Sequence, residues 1–209
     1  NVAVEAQRAR DAGADGCGLF RSEMSFIGRT ELPSEDELFE EYNALTDAFG
    51  DLPVSLRMLD LGSDKLATFQ HEDYEENPCM GNRSMRLLIR RPDIFRTQLR
   101  AMLRSANKQT TILFPMVSGW HELDRIRQLS DRTVEELATE GTRTPGQVRY
   151  GLMVEVPSIV ERFEDYVTEL DEFNIGTNDL TQYSLAADRN NRQVSEYFRT
   201  YHPSMLSMI

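Results

Sequence analysis

Five short apolar runs, nearly all ending in a polar or charged residue, constrain this chain more than any other feature. They are "GCGLF" (16–20), "PVSLRML" (53–59), "TTILFPMV" (110–117), "YGLMVEV" (150–156) and "EFNIG" (172–176). Segments with helical apolar spacing lie near 2–12, 35–49, 92–106, 120–140 and 157–169, and another near 192–200 follows the last run. Strand then helix, repeated, predicts a parallel sheet with both faces covered, and near-continuous apolar strands are what such a sheet needs. Two helix starts support the parse. Ser34 stands as an N-cap with Glu37 three residues on, and Pro157 occupies a first turn after a strand. The 60–91 segment reads as one long irregular connection, a length that in a compact domain is usually functional.

An open doubly wound sheet and a (β/α)₈ barrel both fit this alternation. The polar residues separate them: Arg21 and Glu23 follow "GLF", Arg57 and Asp60 sit in "SLRMLD", Glu155 interrupts "LMVEV", and Asn178 and Asp179 follow "NIG". Chemistry drawn from the carboxyl ends of many successive strands is the pattern of a barrel rather than of a sheet with one switch-point crevice. The expected fold is therefore an α/β (β/α)₈ TIM barrel, occupying the whole of 1–209 as one domain or part of one.

Composition narrows the function. With 35 acids against 23 bases the formal charge is −12, which argues against a general nucleic-acid binder. The two cysteines, Cys17 and Cys79, form neither a CxxC nor a Cys/His cluster, so no disulfide framework or zinc site is indicated and a reducing, cytoplasmic setting is expected. No run of 18 apolar residues suggests membrane insertion. The first residues, "NVAVEAQRARDAGADG", read as though already inside a helix, so a piece of a longer protein is expected.

Glu155 and Asp179 end consecutive strands, one βα unit apart, so neighbouring strands can bring their carboxylates together. Mg²⁺ takes one or two protein carboxylates and completes its octahedron with waters and ligand oxygens. Arg21 and Arg57, also at strand ends, can offer bidentate donors to the same ligand, which is then small, multiply anionic and oxygen-rich. Each residue also has a plainer reading. An arginine at a strand end is most often a surface residue or the partner of a nearby acid, and Asn178 or Asp179 could simply cap the next helix. A glutamate inside an apolar strand is harder to dismiss, because burying it without a cation is unfavourable. Lys65 and Arg83, in the long connection, either extend the anion site or are solvated loop charges. The arginines of 90–104 are expected on a solvated helix face, and His71, His121 and His202 as surface or packing residues.

Several long segments carry a resemblance in consistent order: "GADGCGLFRSEM", "LRMLDLGSDK", "EENPCMGNRSMR", "QLRAMLRSA", "ILFPMV", "GLMVEVPS" and "IGTNDLTQYSLAADRNN". Together they resemble the phosphoenolpyruvate-utilising enzymes over essentially the whole chain. Within that family "QYSLAADRNN" and "ENPCMGNR" are most similar to the Enzyme I type of phosphotransferase, with "DRNN" and "HPSML" closer to its nitrogen-related branch. The resemblance implies a (β/α)₈ barrel binding phosphoenolpyruvate and Mg²⁺ at the strand carboxyl ends. It assigns Glu155 and Asp179 as metal ligands, Arg21, Arg57 and Arg189 to the phosphate, Arg83 and Lys65 nearby, and Asn178 to the substrate.

The implied reaction is phosphoryl transfer from phosphoenolpyruvate to a histidine in an amino-terminal domain outside this chain, and from there to an HPr-type carrier protein. The family's first strand is expected before Asn1, and the segment with its proton-donor cysteine after Ile209. The five strands then correspond to the second through sixth of eight, an incomplete barrel with site residues but without turnover. The family implies a homodimer for the longer protein. A fragment of phosphoenolpyruvate synthase or pyruvate phosphate dikinase, or a non-catalytic phosphoenolpyruvate-sensing module, stays open at this point.

Overall fold

The computed structural model describes residues 4–62 and 75–209. Five strands, β1 (Cys17–Arg21), β2 (Val54–Arg57), β3 (Thr110–Phe114), β4 (Arg149–Val154) and β5 (Glu172–Ile175), form one sheet in the order β1-β2-β3-β4-β5, every pair parallel. Each strand lies beside its predecessor in sequence. A doubly wound sheet reverses direction once and opens a crevice there; this order has no reversal.

Curvature follows from a single hydrogen bond. Ser55 Oγ of β2 donates to Glu172 Oε1 of β5 at 2.6 Å. In a flat sheet three strand spacings would hold these strands about 14 Å apart. Two side chains of that size cannot bridge such a gap, so the sheet curls into a half-barrel with Ser55 and Glu172 on its concave face. Asn174 Nδ2 donates to the same carboxylate oxygen at 2.8 Å.

The period of two along each strand now has a meaning. Val54, Leu56, Ile112, Phe114, Leu152 and Val154 belong to the main hydrophobic core, whereas Leu113 and Met153 are equally buried outside it, on the concave side. Gly151 sits between them for a steric reason: a Cβ there would lie 2.5 Å from the Glu172 carbonyl oxygen and 2.7 Å from Leu113 Cδ2. Glycine lets β5 and Leu113 close over the middle of β4.

The long outer helices are α1 (Val4–Asp11), α2 (Glu35–Phe49), α4 (Pro92–Ser105) and α5 (Trp120–Thr139). Helix α2 begins as expected: Ser34 and Glu37 form a reciprocal capping box. The arginines expected on a solvated face instead join three helices. Arg100 is buried, donating to Glu35 of α2 at 2.6 Å and to Glu140, just after α5, at 2.5 Å. Arg104 reaches Glu35 and Asp36 with its guanidinium 4.3 Å from the Phe39 ring centre, and Arg96 pairs with Glu136. The acids on two facing helices lie outside the local window in which helical spacing is read, and they turn a polar stripe into an interface.

Three further expectations change. Within 60–91 lie a 3₁₀ turn (Pro78–Met80) and helix α3 (Met85–Arg90), and an antiparallel bridge pairs Gly62 with Arg83. The helix expected over 157–169 is split by Arg162 into α6 (Pro157–Glu161) and α7 (Phe163–Tyr166). After β5 the chain enters α8 (Thr177–Leu185) at once, while 192–200 holds 3₁₀ turns (Arg192–Tyr197) and α9 (Pro203–Met208) follows. Thr, Asn and Asp are weak helix formers, and burial of Leu180, Thr181 and Gln182 overrides that preference in α8.

The close approach at Gly151 sets an expectation for stability. Gly151→Ala should lower the free energy of unfolding in urea by about 1–3 kcal/mol through overpacking. Gly146→Ala, whose added methyl meets nothing within 4 Å, should stay within about 0.5 kcal/mol of the parent.

Candidate functional site

The register places Arg21, at the end of β1, beside Arg57, at the end of β2. A buried guanidinium such as that of Arg57 needs carboxylates around it. Glu23 Oε1 accepts from Arg57 Nη2 at 2.5 Å, and Asp60 Oδ2 stands 3.6 Å from Arg57 Nη1. Arg83 comes from the turn before α3 and forks onto Asp60, with Nη2 at 2.8 Å from Oδ1 and 2.9 Å from Oδ2. Nε also donates to Asp60 Oδ1 at 3.2 Å, and Nη1 donates to Asp179 Oδ1 and to the Tyr183 hydroxyl, each at 3.1 Å. The second Asp179 oxygen accepts from Arg189 Nη1 at 3.0 Å. Glu23, Arg57, Asp60, Arg83, Asp179 and Arg189 thus form one chain of alternating sign.

All of these but Asp179 border a cavity of about 470 Å³. Arg21, Arg57, Arg83, Arg189, Glu23 and Asp60, with Asp188 and Asn190, supply its polar wall, and Met24, Ile27, Leu61, Pro78 and Cys79 its apolar one. Arg57 and Arg83 are buried, and Arg57 Nε has no hydrogen-bond partner among the described residues, the kind of donor that an incoming oxyanion satisfies. Burial alone would make both guanidiniums easier to deprotonate. For Arg57 the charges of Glu23, Asp60 and Glu155 outweigh that effect, and for Arg83 those of Asp60 and Asp179 do, so both stay firmly charged.

Glu155 lies just beyond β4 and is 1% exposed. Its Oε1 accepts the Met116 backbone N–H at 2.7 Å. Its Oε2 would lie 2.5 Å from a Cβ at residue 176, so only glycine after β5 leaves room for this carboxylate. Burial, then the charges of Asp60 and Asp179, push its pKa up to about 7, against the Met116 N–H and Arg57. Asp179 is buried in the first turn of α8, where the helix dipole favours an anion. It does not cap that helix; Gly176 holds the N-cap position without a side-chain bond.

The donor set fits a magnesium ion of the kind that keeps waters and ligand oxygens. Burial and the neighbouring charges of Asp60 and Asp179 disfavour the ionised Glu155 carboxylate, an effect that a divalent cation beside it would relieve. The set does not fit an all-protein cage: among the described residues no group of three His, Cys, Asp or Glu side chains is close enough to hold an ion.

Arg21, Arg57, Arg83 and Arg189 therefore converge, with Asp179 tied directly to two of them and Glu155 within electrostatic reach of Asp179 and Arg57. Asn178 is exposed and is not among the residues that border the cavity, and Lys65 lies outside the described residues. Glu23 and Asp60 were legible as strand-end polar residues, but their part as the counter-charges of Arg57 and Arg83 was not. Tyr183 stood in the "QYSLAADRNN" segment of the resemblance, but nothing local assigned it a partner. It joins the site by accepting from Arg83 and donating to the Cys79 carbonyl.

Comparison with known proteins places this geometry in context. The family model for the PEP-utilising enzyme, PEP-binding domain matches residues 1–209. A phosphoenolpyruvate-protein phosphotransferase from Staphylococcus aureus is 40% identical over 198 residues, covering 94% of this chain and 35% of that protein. Its counterpart from Geobacillus stearothermophilus is 39% identical over 198 residues, 94% of this chain and 34% of that protein. A multiphosphoryl transfer protein from Escherichia coli O157:H7 is 39% identical over 209 residues, 100% of this chain and 25% of that protein. The chain thus spans about a third or less of the length of these curated relatives. Among solved structures, an HpcH/Hpal aldolase/citrate lyase family protein from Burkholderia cenocepacia superposes with a TM-score of 0.54 at 12% identity, covering 99% of this chain and 68% of the other. At that identity the likeness concerns the fold alone.

The raised pKa of Glu155 has a consequence for metal-free stability. A carboxyl that keeps its proton up to about pH 7 when folded, against about 4.5 in its ordinary state, favours folding at low pH and loses that advantage as pH rises through this window. In chelator, the melting temperature should fall between about pH 5 and pH 8 by more in the parent than in Glu155→Gln, a difference of roughly 3 kcal/mol at full separation. Thermal melts of both proteins across that range test it.

Proposed function

The chain belongs to the PEP-binding domain family of PEP-utilising enzymes, and from that membership we propose that it is the phosphoenolpyruvate- and Mg²⁺-binding part of an Enzyme I-type phosphotransferase. The observation that carries the proposal is the convergence of Arg21, Arg57, Arg83 and Arg189 on one cavity, with Asp179 bonded to two of them. Phosphoenolpyruvate presents a phosphate and a carboxylate on a short apolar frame. Four guanidiniums facing Met24 and Ile27 complement that distribution.

In this reading Glu155 and Asp179 hold Mg²⁺, which when bound neutralises charge on the substrate oxygens. Arg57 and Arg83, fixed by Glu23 and Asp60, orient the phosphoryl group and stabilise the charge that spreads over its oxygens during transfer. The phosphoryl group leaves the enol oxygen for a histidine of an amino-terminal domain, and the enolpyruvate left behind takes a proton to become pyruvate. From that histidine the group passes to an HPr-type carrier, in a cytoplasmic homodimer. The half-barrel then represents the second to sixth strands of a (β/α)₈ barrel, whose ligands bind at the strand carboxyl ends, where this cavity lies. Among the described residues no helix is long and apolar enough to cross a membrane.

Calorimetric titration with phosphoenolpyruvate tests the reading. The parent should bind in the presence of Mg²⁺ and at least about tenfold more weakly without it, and Glu155→Gln should abolish that difference. Arg57→Met should weaken binding at least about tenfold with the metal present. Absence of binding both by this folded chain and by the longer protein would sink the assignment.

A further inference from the structure

Gln98 of α4 is 0% exposed. Its Oε1 accepts the Leu59 backbone N–H at 3.0 Å, and its Nε2 donates to Ser22 Oγ at 2.8 Å and to the Tyr42 hydroxyl at 3.2 Å. The Leu59 N–H can only donate, which sets the orientation of the amide. Ser22 Oγ in turn donates to the carbonyl of Arg57 at 2.9 Å. The result is a closed ring: Gln98 to Ser22, Ser22 to the Arg57 carbonyl, along the backbone to Leu59, and back to Gln98.

Ser22 follows Arg21, and Leu59 precedes Asp60. One amide therefore ties together the two strand ends that carry Arg21 and Arg57, and the start of the loop that carries Asp60. Ser22, Tyr42 and Leu59 are also 0% exposed, so no solvent stands ready to replace a lost bond. Beyond Leu59, the Asp60 N–H donates to Glu23 Oε1 at 3.2 Å, the same oxygen that accepts from Arg57. The ring thus runs directly beneath the Glu23–Arg57–Asp60 cluster.

We infer that Gln98 is a positioning residue for the anion site: through Ser22 and Leu59 it fixes the spacing of Arg57 and Asp60, and so the place where a phosphate-bearing ligand is held. An apolar side chain of similar length would fill the same space and leave three polar groups to find new partners, which shifts the strand ends. The inference rests on the reading of the cavity as a phosphoenolpyruvate site, and the test separates the two.

Phosphoenolpyruvate with Mg²⁺ is titrated into the parent, Gln98→Met, Ser22→Ala and Tyr42→Phe, each also melted thermally. Affinity should fall about tenfold in Gln98→Met and about threefold in Ser22→Ala, but stay within about twofold in Tyr42→Phe, although all three lower the melting temperature. In an Arg57→Lys background Gln98→Met should weaken binding by less than it does in the parent, while its loss of melting temperature persists. Unchanged affinity in Gln98→Met, or a full additional loss in the Arg57→Lys background, overturns the inference. If Gln98→Met does not fold, Ser22→Ala carries the same comparison. If the parent binds no phosphoenolpyruvate, the functional reading fails by itself. Positioning is then judged on the Arg57 Nε–H resonance of the unliganded proteins: displacement in Gln98→Met and Ser22→Ala but not in Tyr42→Phe upholds it, and an unmoved resonance overturns it.

Discussion

Guanidinium groups drawn into one cavity repel one another unless carboxylates stand between them, and the rest of this structure serves that requirement. Asp60 and Asp179 each hold two arginines, and Glu23 completes the shell around Arg57. Such a chain is stable only while every member is present, since removing one partner leaves a buried charge uncompensated. It also leaves the arginines oriented before any ligand arrives, so less reorganisation accompanies binding. Glu155 stands outside this chain of pairs, and burial, with the charges of Asp60 and Asp179, raises its pKa.

The backbone is shaped around the same cluster. Among the described residues three besides glycine have positive φ: Ser84 at 57°, Met116 at 58° and Ala186 at 50°. Ser84 follows Arg83, Met116 gives its N–H to Glu155, and Ala186 ends α8 and opens the turn to Arg189. Conformations of this kind are unfavourable by about 1–3 kcal/mol each and persist where the surroundings determine them. Here each one aims a charged group. The curled sheet supplies the frame, because only a concave face lets side chains of β2 and β5 meet across β3 and β4.

Much of this was readable along the chain, for particular reasons. The strands were legible because both faces of a parallel sheet are buried, which leaves continuous apolar runs, and Arg21, Arg57 and Glu155 stood out as departures at their ends. Ser34 and Glu37 declared a helix start through a purely local motif. Other features had no local signature. Arg100 pairs with Glu35 and Glu140, which lie 65 and 40 residues away, so its burial could not be read from the helix that carries it. Helix α8 begins in residues of weak helical preference and forms because Leu180 and its neighbours are buried. Tyr183 and Gln98 act through partners brought near by folding alone.

The sequence by itself determined the order of strands and helices and the chemical character of the strand ends, because periodicity and residue type are local properties of a chain. The long, ordered motifs also carried the family resemblance. Only the tertiary structure decided which acid faces which arginine, that the sheet curls, that Asn178 is exposed and that Gln98 joins two strand ends. Those outcomes depend on register and curvature, and both are settled by side chains packing across elements far apart in the chain, where no local pattern records the partner.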